Sequence, residues 1–280
     1  MKLNEPVRYE SKLMRTLKEL SDLNGRVAVV TGGAGHIGMA IAEALLELGC
    51  MVCLVDISQD ALDKAIKSYP EYTEKLLFGM TADLEDQSVR ITLVNDLIKQ
   101  FGRVDILINN AGFVGDSQLQ GWVADFENQN IETWRRAIEV NLTAPFHLTQ
   151  LLSQYITKSG RGVVINIGSI YGIVGPDWDL YSSTKMGNPA AYASSKGGLL
   201  QMTRWLATTM APKVRVNCIS PGGLARGQPE SFVTKYVNRT PLKRMGSEED
   251  FKGVVAFLAS DLSAWVTGQN FIVDGGWTVW

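Results

Sequence analysis

The 280-residue chain is poor in the groups that would signal several kinds of function. It has only two histidines and three cysteines, and they form no cluster of metal-ligand spacing, so no metal site is expected. The 27 basic and 29 acidic residues leave a formal net charge of −2, without the basic excess of a nucleic-acid partner. No apolar run reaches the ~18 residues of a membrane helix. The opening Met1-Lys2-Leu3-Asn4-Glu5-Pro6 lacks the apolar core of a signal peptide, and a cytoplasmic location with no membrane partner is expected. Cys50-Met51-Val52-Cys53 has redox-like spacing but lies in an apolar strand-like run. Strand positions three apart point to opposite faces, so the two thiols read as buried and separate. There are no repeats, low-complexity tracts or linkers.

What is present is an alternation of short apolar runs and helical patterns. Residues 1–24 read as an extension in which Leu13, Met14, Leu17 and Leu20 give Lys12 to Leu23 a helical spacing. From Arg26 on, strands are predicted at Val27–Val30, Cys50–Val55, Leu76–Met80, Val104–Ile108, Val163–Ile167, Val214–Ile219 and Val266–Val273. Helices are predicted at Met39–Leu48, Asp60–Ser68, Gln87–Gln100, Trp134–Tyr155, Pro189 to about Ala211, and Glu248–Ala259. Residues 113–133 and 173–188 read as loops, and Leu224–Ser247 as a mobile polar segment. This order implies a single-domain α/β fold over 25–280, a Rossmann-type doubly wound parallel sheet with helices on both faces.

The first strand runs into Thr31-Gly32-Gly33-Ala34-Gly35-His36-Ile37-Gly38 and then a helix. Glycines there permit a tight turn and let backbone N–H groups approach a pyrophosphate at the helix N-terminus. His36 reads either as a phosphate contact or as a neutral loop histidine without one, the second being the simpler reading. Asp56 ends the next strand, 24 positions beyond Gly32, near the ~20 expected of a ribose-binding carboxylate. It can accept hydrogen bonds from both ribose hydroxyls and would repel a 2′-phosphate, and no cation follows in Ile57-Ser58-Gln59. NAD is therefore favoured over NADP.

Two Tyr-x-x-x-Lys sequences compete for one role. Tyr192 and Lys196 sit at the start of a long helical pattern, so one turn puts them on the same face. A cation beside a phenol favours phenolate and would lower the tyrosine's pKa. Tyr181 and Lys185 have the same spacing, but Met186-Gly187-Asn188-Pro189 follows at once and ends any helix.

With these residues the chain resembles the short-chain dehydrogenase/reductase family along nearly its whole length. The resemblance is carried by the Thr31–Gly38 loop, Asp56, Asp83, Asn109-Asn110-Ala111-Gly112, Asn141, Ser169, Tyr192 with Lys196, Pro221-Gly222, and the terminal Thr267-Gly268 and Val273-Asp274-Gly275-Gly276. It implies an NAD-dependent oxidoreductase that interconverts a secondary alcohol and a ketone by hydride transfer. Tyr192 would be the acid/base, Lys196 its activator and a holder of the nicotinamide ribose, Ser169 the donor to the substrate oxygen, and Asn141 the anchor of a proton-relay water. Asp83 would meet the adenine end, and Asn109, Ala111 and Gly112 the nucleotide wall. Gly32, Gly35, Ile37, Gly38, Ile57, Leu84, Asn110, Pro221 and Gly222 complete the implied cofactor contacts.

The glycine loop departs from the family's habit, with His36 at the usual middle glycine and Gly35 one place early. Ser169 lies 12 positions before Tyr181 and 23 before Tyr192, and the shorter gap is nearer the family's habit. A catalytic pair needs a rigid element, so Tyr192 is chosen and 173–188 becomes an enlarged substrate loop. That loop and a substrate segment, 223–247, would line the pocket, with Asp177, Trp178, Lys185, Asn188, Arg226 and Gln228 in reach of a polar ligand. Arg239, Lys243 and Arg244 would meet a phosphate or form a surface cluster. The C-terminal Trp277-Thr278-Val279-Trp280 would border the pocket, and Trp277 and Trp280 suit an interface. The stretches Gly187–Tyr192, Ser220–Gly223 and Arg226–Pro229 resemble members tied to bacterial surface-sugar pathways (nonulosonic and legionaminic acids, flagellin glycosylation). They point to a sugar, sugar phosphate or nucleotide-sugar. The alternatives are an NADPH-dependent ketone or 3-oxoacyl reductase and a non-catalytic dinucleotide-binding protein. Family habit also implies a homodimer or homotetramer.

Overall fold

The computed structural model describes residues 14–72, 75–115 and 119–280. Among them, seven strands form one parallel sheet: β1 (Val27–Thr31), β2 (Met51–Asp56), β3 (Leu77–Thr81), β4 (Ile106–Asn109), β5 (Gly162–Ile167), β6 (Val214–Pro221) and β7 (Asn270–Val273). Their order is β3-β2-β1-β4-β5-β6-β7. The chain winds outward from β1 to β3 and then resumes on the other side of β1 with β4. The strand order therefore reverses between β1 and β4, and a crevice opens there at the carboxyl ends of the strands.

Side-chain alternation along the strands builds two cores. Ala28, Val30, Val52, Leu54, Val163 and Ile165 face α2 (His36–Glu47), α3 (Gln59–Lys67) and α9 (Lys252–Ala259) through Ile41, Leu45, Leu62, Val255 and Leu258. Val29, Cys53, Val55, Leu107, Val164 and Val216 face α4 (Gln87–Phe101), α6 (Ala144–Lys158) and α7 (Ala190–Met210) through Leu93, Leu97, Leu148, Leu152 and Leu206. Both faces are covered, which is why β1 reads as an unbroken apolar run rather than an alternating one. Cys50 and Cys53 fall in different cores, and burial pushes both thiols up to about 12.

The expected N-terminal helix is short. α1 (Leu17–Ser21) has a Thr16/Glu19 capping box, while Lys12 and Leu13 lie outside the described residues. Leu23 is fully buried, and Arg15 reaches Asp261 at 2.8 Å.

Two expectations are corrected. The stretch predicted as one helix from Trp134 is α5 (Ile131–Ile138), a π-helical turn at Glu139–Thr143, and α6. The segment read as mobile contains α8 (Glu230–Arg239). Phe232, Val233, Tyr236 and Val237 recur at helical spacing, and this is the apolar face that packs α8 under Trp277 and Leu180. The polar residues between them obscured that signal.

Candidate active site

The site is assembled from strand ends. At the end of β1 the Thr31 hydroxyl accepts hydrogen bonds from Asn110 N and Ala111 N, both 3.0 Å, and so pins β4's outlet beside β1's. Asn110 Nδ2 donates back to the carbonyls of Thr31 and Gly32 at 3.0 and 2.9 Å. Gly32 has φ +60°, and a Cβ on it would lie 2.8 Å from Ala111 Cα. A Cβ on Gly38 would lie 2.2 Å from Gly32 O, so α2 begins against the turn itself. α2 starts at His36 with Gly35 as its N-cap, and no side chain caps it. The displaced glycine thus occupies the cap, and His36 takes the first helical position. The first-turn N–H groups face the crevice, where an anion is favoured. Asp56 is held at the end of β2 by Ala34 N at 3.1 Å and Ser58 N at 3.4 Å.

A cleft of about 640 Å³ runs along these strand ends. Gly32, Gly35, His36, Ile37, Gly38, Asp56, Ile57, Asp83, Leu84, Asn110, Ala111, Gly112, Ser169, Tyr192, Lys196, Pro221 and Gly222 all border it. These residues fit a dinucleotide: the uncapped helix start faces the cleft, a carboxylate stands at the second strand end, and the glycine turn leaves no room for side chains. Asn109 does not border the cleft. It is buried and donates to Asn166 Oδ1 at 2.8 Å, so it ties β4 to β5 rather than forming a nucleotide wall. Arg136 of α5 does border it, paired with Glu85 at 2.9 Å and lying over the Phe113 ring. No local pattern announces Arg136, because the fold brings α5 there from a distant part of the chain.

Ser169, Tyr192 and Lys196 converge at the inner end of the cleft. Ser169 follows β5, and its hydroxyl accepts from Tyr171 N at 3.2 Å. Pro189 is the N-cap of α7, which places Tyr192 in the first turn and Lys196 one turn on. Lys196 is 4% exposed and donates to Ile167 O at 2.8 Å; burial brings its pKa down to about 8. Its Nζ lies 5.8 Å from the Tyr192 ring centroid. Burial raises the Tyr192 phenol above its ordinary value, and a side-chain hydrogen bond with Ser169 opposes that rise. The sequence-level expectation of a phenol lowered by Lys196 is therefore corrected: desolvation dominates, and the lysine gives its hydrogen bond to a backbone carbonyl.

Asn141 lies in the π-helical turn, a distortion frequent at functional positions. Its Oδ1 accepts from Phe113 N at 2.6 Å, and its Nδ2 donates to Phe113 O at 3.2 Å and to Ser195 Oγ at 3.1 Å. The side chain is thus committed to joining the β4 outlet to α7.

A second pocket of about 660 Å³ opens beside the first. Val114, Trp122, Val123, Tyr171, Tyr181, Met186, Asn188 and Pro189 border it, as does Tyr192, which is common to both cavities. Tyr181 closes a 3₁₀ turn at Trp178–Tyr181, and Lys185 stands on irregular chain beyond Ser183 (φ +64°). The second Tyr-x-x-x-Lys sequence therefore does not form a helical pair.

Of the polar residues predicted to reach a ligand, Lys185 and Asn188 border this pocket and Arg226 the cleft. Asp177 pairs with Arg239, which also lies 4.6 Å over the Trp277 ring, and Arg244 pairs with Asp250 at 2.6 Å. Lys243 donates to Asn238 O, and Gln228 is used within its own loop by Leu224 O and Arg226 N. Trp178 is exposed at a smaller neighbouring cavity. Trp277 is 1% exposed and stacks on Tyr236, so it belongs to the chain's own aromatic core; Trp280 is exposed.

The strand reversal, the uncapped helix start and the Ser169/Tyr192/Lys196 group define a dinucleotide-binding α/β oxidoreductase. Comparison with known proteins agrees: residues 32–278 match the family model described as enoyl-(acyl carrier protein) reductase. The chain belongs to the short-chain dehydrogenase/reductase family. It is 33% identical to the 3-oxoacyl-[acyl-carrier-protein] reductase FabG of Thermotoga maritima, over 91% of this chain and 98% of that protein. Among solved structures it is similar to a short-chain dehydrogenase from Leptospira borgpetersenii with bound NAD+ (TM-score 0.81, 32% identity, 96% of this chain and 98% of that one). It is also similar to an NAD+-bound xylitol dehydrogenase (TM-score 0.80, 30% identity, 91% and 99%). Among the described residues no helix is long and apolar enough to cross a membrane.

Proposed function

We propose that the protein is an NAD-dependent dehydrogenase that interconverts a secondary alcohol and a ketone on a sugar, sugar phosphate or nucleotide-sugar. The observation that carries this reading is the place of Tyr192, whose phenol borders both the nucleotide cleft and the second pocket, next to Ser169 and above Lys196. The second pocket is of a size for a small molecule.

Bound in the cleft, a nicotinamide dinucleotide supplies the hydride acceptor or donor. The uncapped start of α2 would hold its phosphates and Asp56 its adenine-side ribose, which favours NAD because a carboxylate repels a 2′-phosphate. Of the residues that line the cleft, Asp83 and Leu84 would border the adenine end, and Ala111, Gly112, Pro221 and Gly222 would border the nicotinamide half. In reduction the Tyr192 phenol gives its Oη proton to the forming alkoxide and is left as phenolate; in oxidation it is this phenolate that takes the alcohol proton. Ser169 Oγ donates to the substrate oxygen as its charge develops. Lys196, fixed by Ile167 O, supplies a cation beneath the phenol and holds the nicotinamide ribose. Asn141 positions rather than reacts. By clamping Phe113 and Ser195 it holds the β4 outlet against α7.

The likeness to FabG supports a second reading, an NADPH-dependent 3-oxoacyl reductase, and Asp56 opposes it. Nicotinamide absorbance, followed with NAD or NADP and a panel of sugars, sugar phosphates, nucleotide-sugars and acyl-thioester ketones, decides between them. On this proposal wild type turns over a sugar-class compound with NAD, and Tyr192→Phe loses kcat by about 10³-fold. Tyr181→Phe raises KM and keeps a measurable kcat. Loss of kcat in Tyr181→Phe alone overturns the site, and turnover of acyl thioesters alone overturns the substrate class. NAD binding without turnover of anything in the panel favours a binding role.

A further inference from the structure

The tyrosine left out of catalysis has a setting of its own. Tyr171 Oη and Tyr181 Oη lie 2.5 Å apart, one donating to the other, on the wall of the second pocket. Tyr171 comes from the 3₁₀ turn after Ser169 and Tyr181 from the enlarged loop, so chain segments ten residues apart meet at their hydroxyls. Asn188 lies behind them, 7% exposed. Its Oδ1 and Nδ2 are buried and neither has a hydrogen-bond partner. Tyr192 is near enough to act electrostatically on both phenols.

The pocket is otherwise mainly apolar near this group, with Val114, Trp122, Val123, Met186 and Pro189 around it. A few convergent polar groups in an apolar pocket mark where a ligand's polar atom is recognised. A pair of hydroxyls that share one proton still has one proton to donate outward and lone pairs to accept with. Burial raises both phenols, so both remain neutral at ordinary pH and keep those protons. The rings are firmly held: Tyr181 packs on Phe232 with centroids 5.6 Å apart, and Tyr171 on Trp277 at 6.4 Å.

We infer that the Tyr171–Tyr181 hydroxyl pair is a second polar anchor of the substrate pocket. It binds a hydroxyl or amide oxygen next to the carbon that Tyr192 serves, and the buried amide of Asn188, which has no hydrogen-bond partner of its own, adds to the pair at the same pocket. The substrate class that follows is a vicinal diol or an acylamino alcohol, rather than a monofunctional alcohol or a bare acyl chain. This rests on the reading of Tyr192 as the proton-transfer group.

The test compares kcat/KM for cis-cyclohexane-1,2-diol, 2-acetamidocyclohexanol and cyclohexanol with NAD, in wild type, Tyr181→Phe, Tyr171→Phe and Asn188→Leu. Wild type should favour the better of the two bifunctional alcohols over cyclohexanol by about tenfold or more, the scale of one well-placed hydrogen bond. Whether the diol or the amide wins distinguishes the two sources of the recognised oxygen. Each tyrosine variant should bring that ratio to about one, whatever it does to absolute rates, and Asn188→Leu should reduce it partway. A merely structural role would lower all three rates together and leave the ratio standing. Tyr→Phe keeps the ring stacking, and near-ultraviolet circular dichroism confirms that the variants are folded.

A wild-type ratio near one, or a ratio unchanged in Tyr181→Phe, overturns the anchor while the dehydrogenase reading survives. If wild type oxidises none of the three alcohols, the sugar-class panel decides the dehydrogenase reading and binding decides the anchor. The anchor is then judged by saturation-transfer NMR with the diol and the amide: binding lost in Tyr181→Phe supports it, and absent or unaltered binding overturns it.

Discussion

The nucleotide cleft and the second pocket share Tyr192 but are built differently. The cleft is lined largely by backbone and small residues at the ends of parallel strands, and its geometry follows from the reversal of strand order between β1 and β4. The pocket is lined by bulky side chains from the β4 outlet, the 3₁₀ turn after Ser169 and the enlarged loop, with Pro229 from the start of α8. A surface made of backbone tolerates no added atoms. A surface made of side chains can be altered one residue at a time, which is where members of a family with shared chemistry can differ in substrate.

The largest effect that would sharpen this contrast comes from Gly38→Ala. The added Cβ would sit 2.2 Å from Gly32 O, a carbonyl that cannot swing away, so the turn and the start of α2 must separate. Nucleotide affinity, measured by titration calorimetry, should fall by about 100-fold or more, with a melting temperature lowered by several degrees. Unaltered nucleotide binding would mean that the turn is not the phosphate cradle. A smaller effect is expected at Asp56. Asp56→Ser should move the ratio of NAD to NADP affinity toward NADP by roughly tenfold, the size of one charge-assisted hydrogen bond and its matching repulsion. A ratio that does not move would place cofactor choice elsewhere in the cleft.

Lys196 lines the cleft one helical turn beyond Tyr192, and its ionisation offers a third test. Its folded pKa, about 8, lies below its ordinary value of 10.5. Between those two pH values the unfolded chain binds more protons than the folded one, so raising the pH removes the cost of a buried ammonium and stabilises the fold. The melting temperature of the nucleotide-free wild type, relative to that of Lys196→Met, should rise from pH 8 to pH 10.5. A flat difference would mean that the ammonium is well solvated. The smallest effect lies on the pocket side. Tyr236 Oη accepts from Gly223 N at 2.6 Å and thereby ties α8 to the β6 outlet. Tyr236→Phe should cost about 1 kcal/mol in urea unfolding and leave nucleotide affinity within a factor of two. A marked loss of affinity would show that the two regions are coupled through Gly222 and Gly223.

Much of this is legible in the sequence. Val27 to Val30 followed by Thr31–Gly38 announces a buried strand and a glycine turn, because both depend on neighbours within a few residues. The opposed burial of Cys50 and Cys53 follows from the two-residue period of a strand. The preference for Tyr192 comes from neighbouring residues, since Met186-Gly187-Asn188-Pro189 ends any helix; the chain from Ser182 to Lys185 is irregular and α7 starts at Ala190.

Other features were not legible, each for a physical reason. Asn109 and Asn110 are adjacent and chemically alike, but strand alternation turns one into the sheet to meet Asn166 and the other toward the cleft. The π-helical turn at Asn141 is sustained by hydrogen bonds to Phe113 and Ser195, residues 28 and 54 positions away. Arg136 enters the cleft only because α5 packs there, and Trp277 is covered by Tyr236 of α8.

The acidity of Tyr192 divides along the same line. The sequence by itself determined that a lysine would stand one helical turn from the phenol, because helix periodicity is local. Only the tertiary structure decided that both would be desolvated and that the lysine would hydrogen-bond Ile167 O, because desolvation depends on every element that closes over the group. In the same way, the sequence determined two tyrosines with identical spacing to a lysine. Packing around Trp277, Phe232 and Asn188 decided that one would meet the cleft and the other would pair with Tyr171.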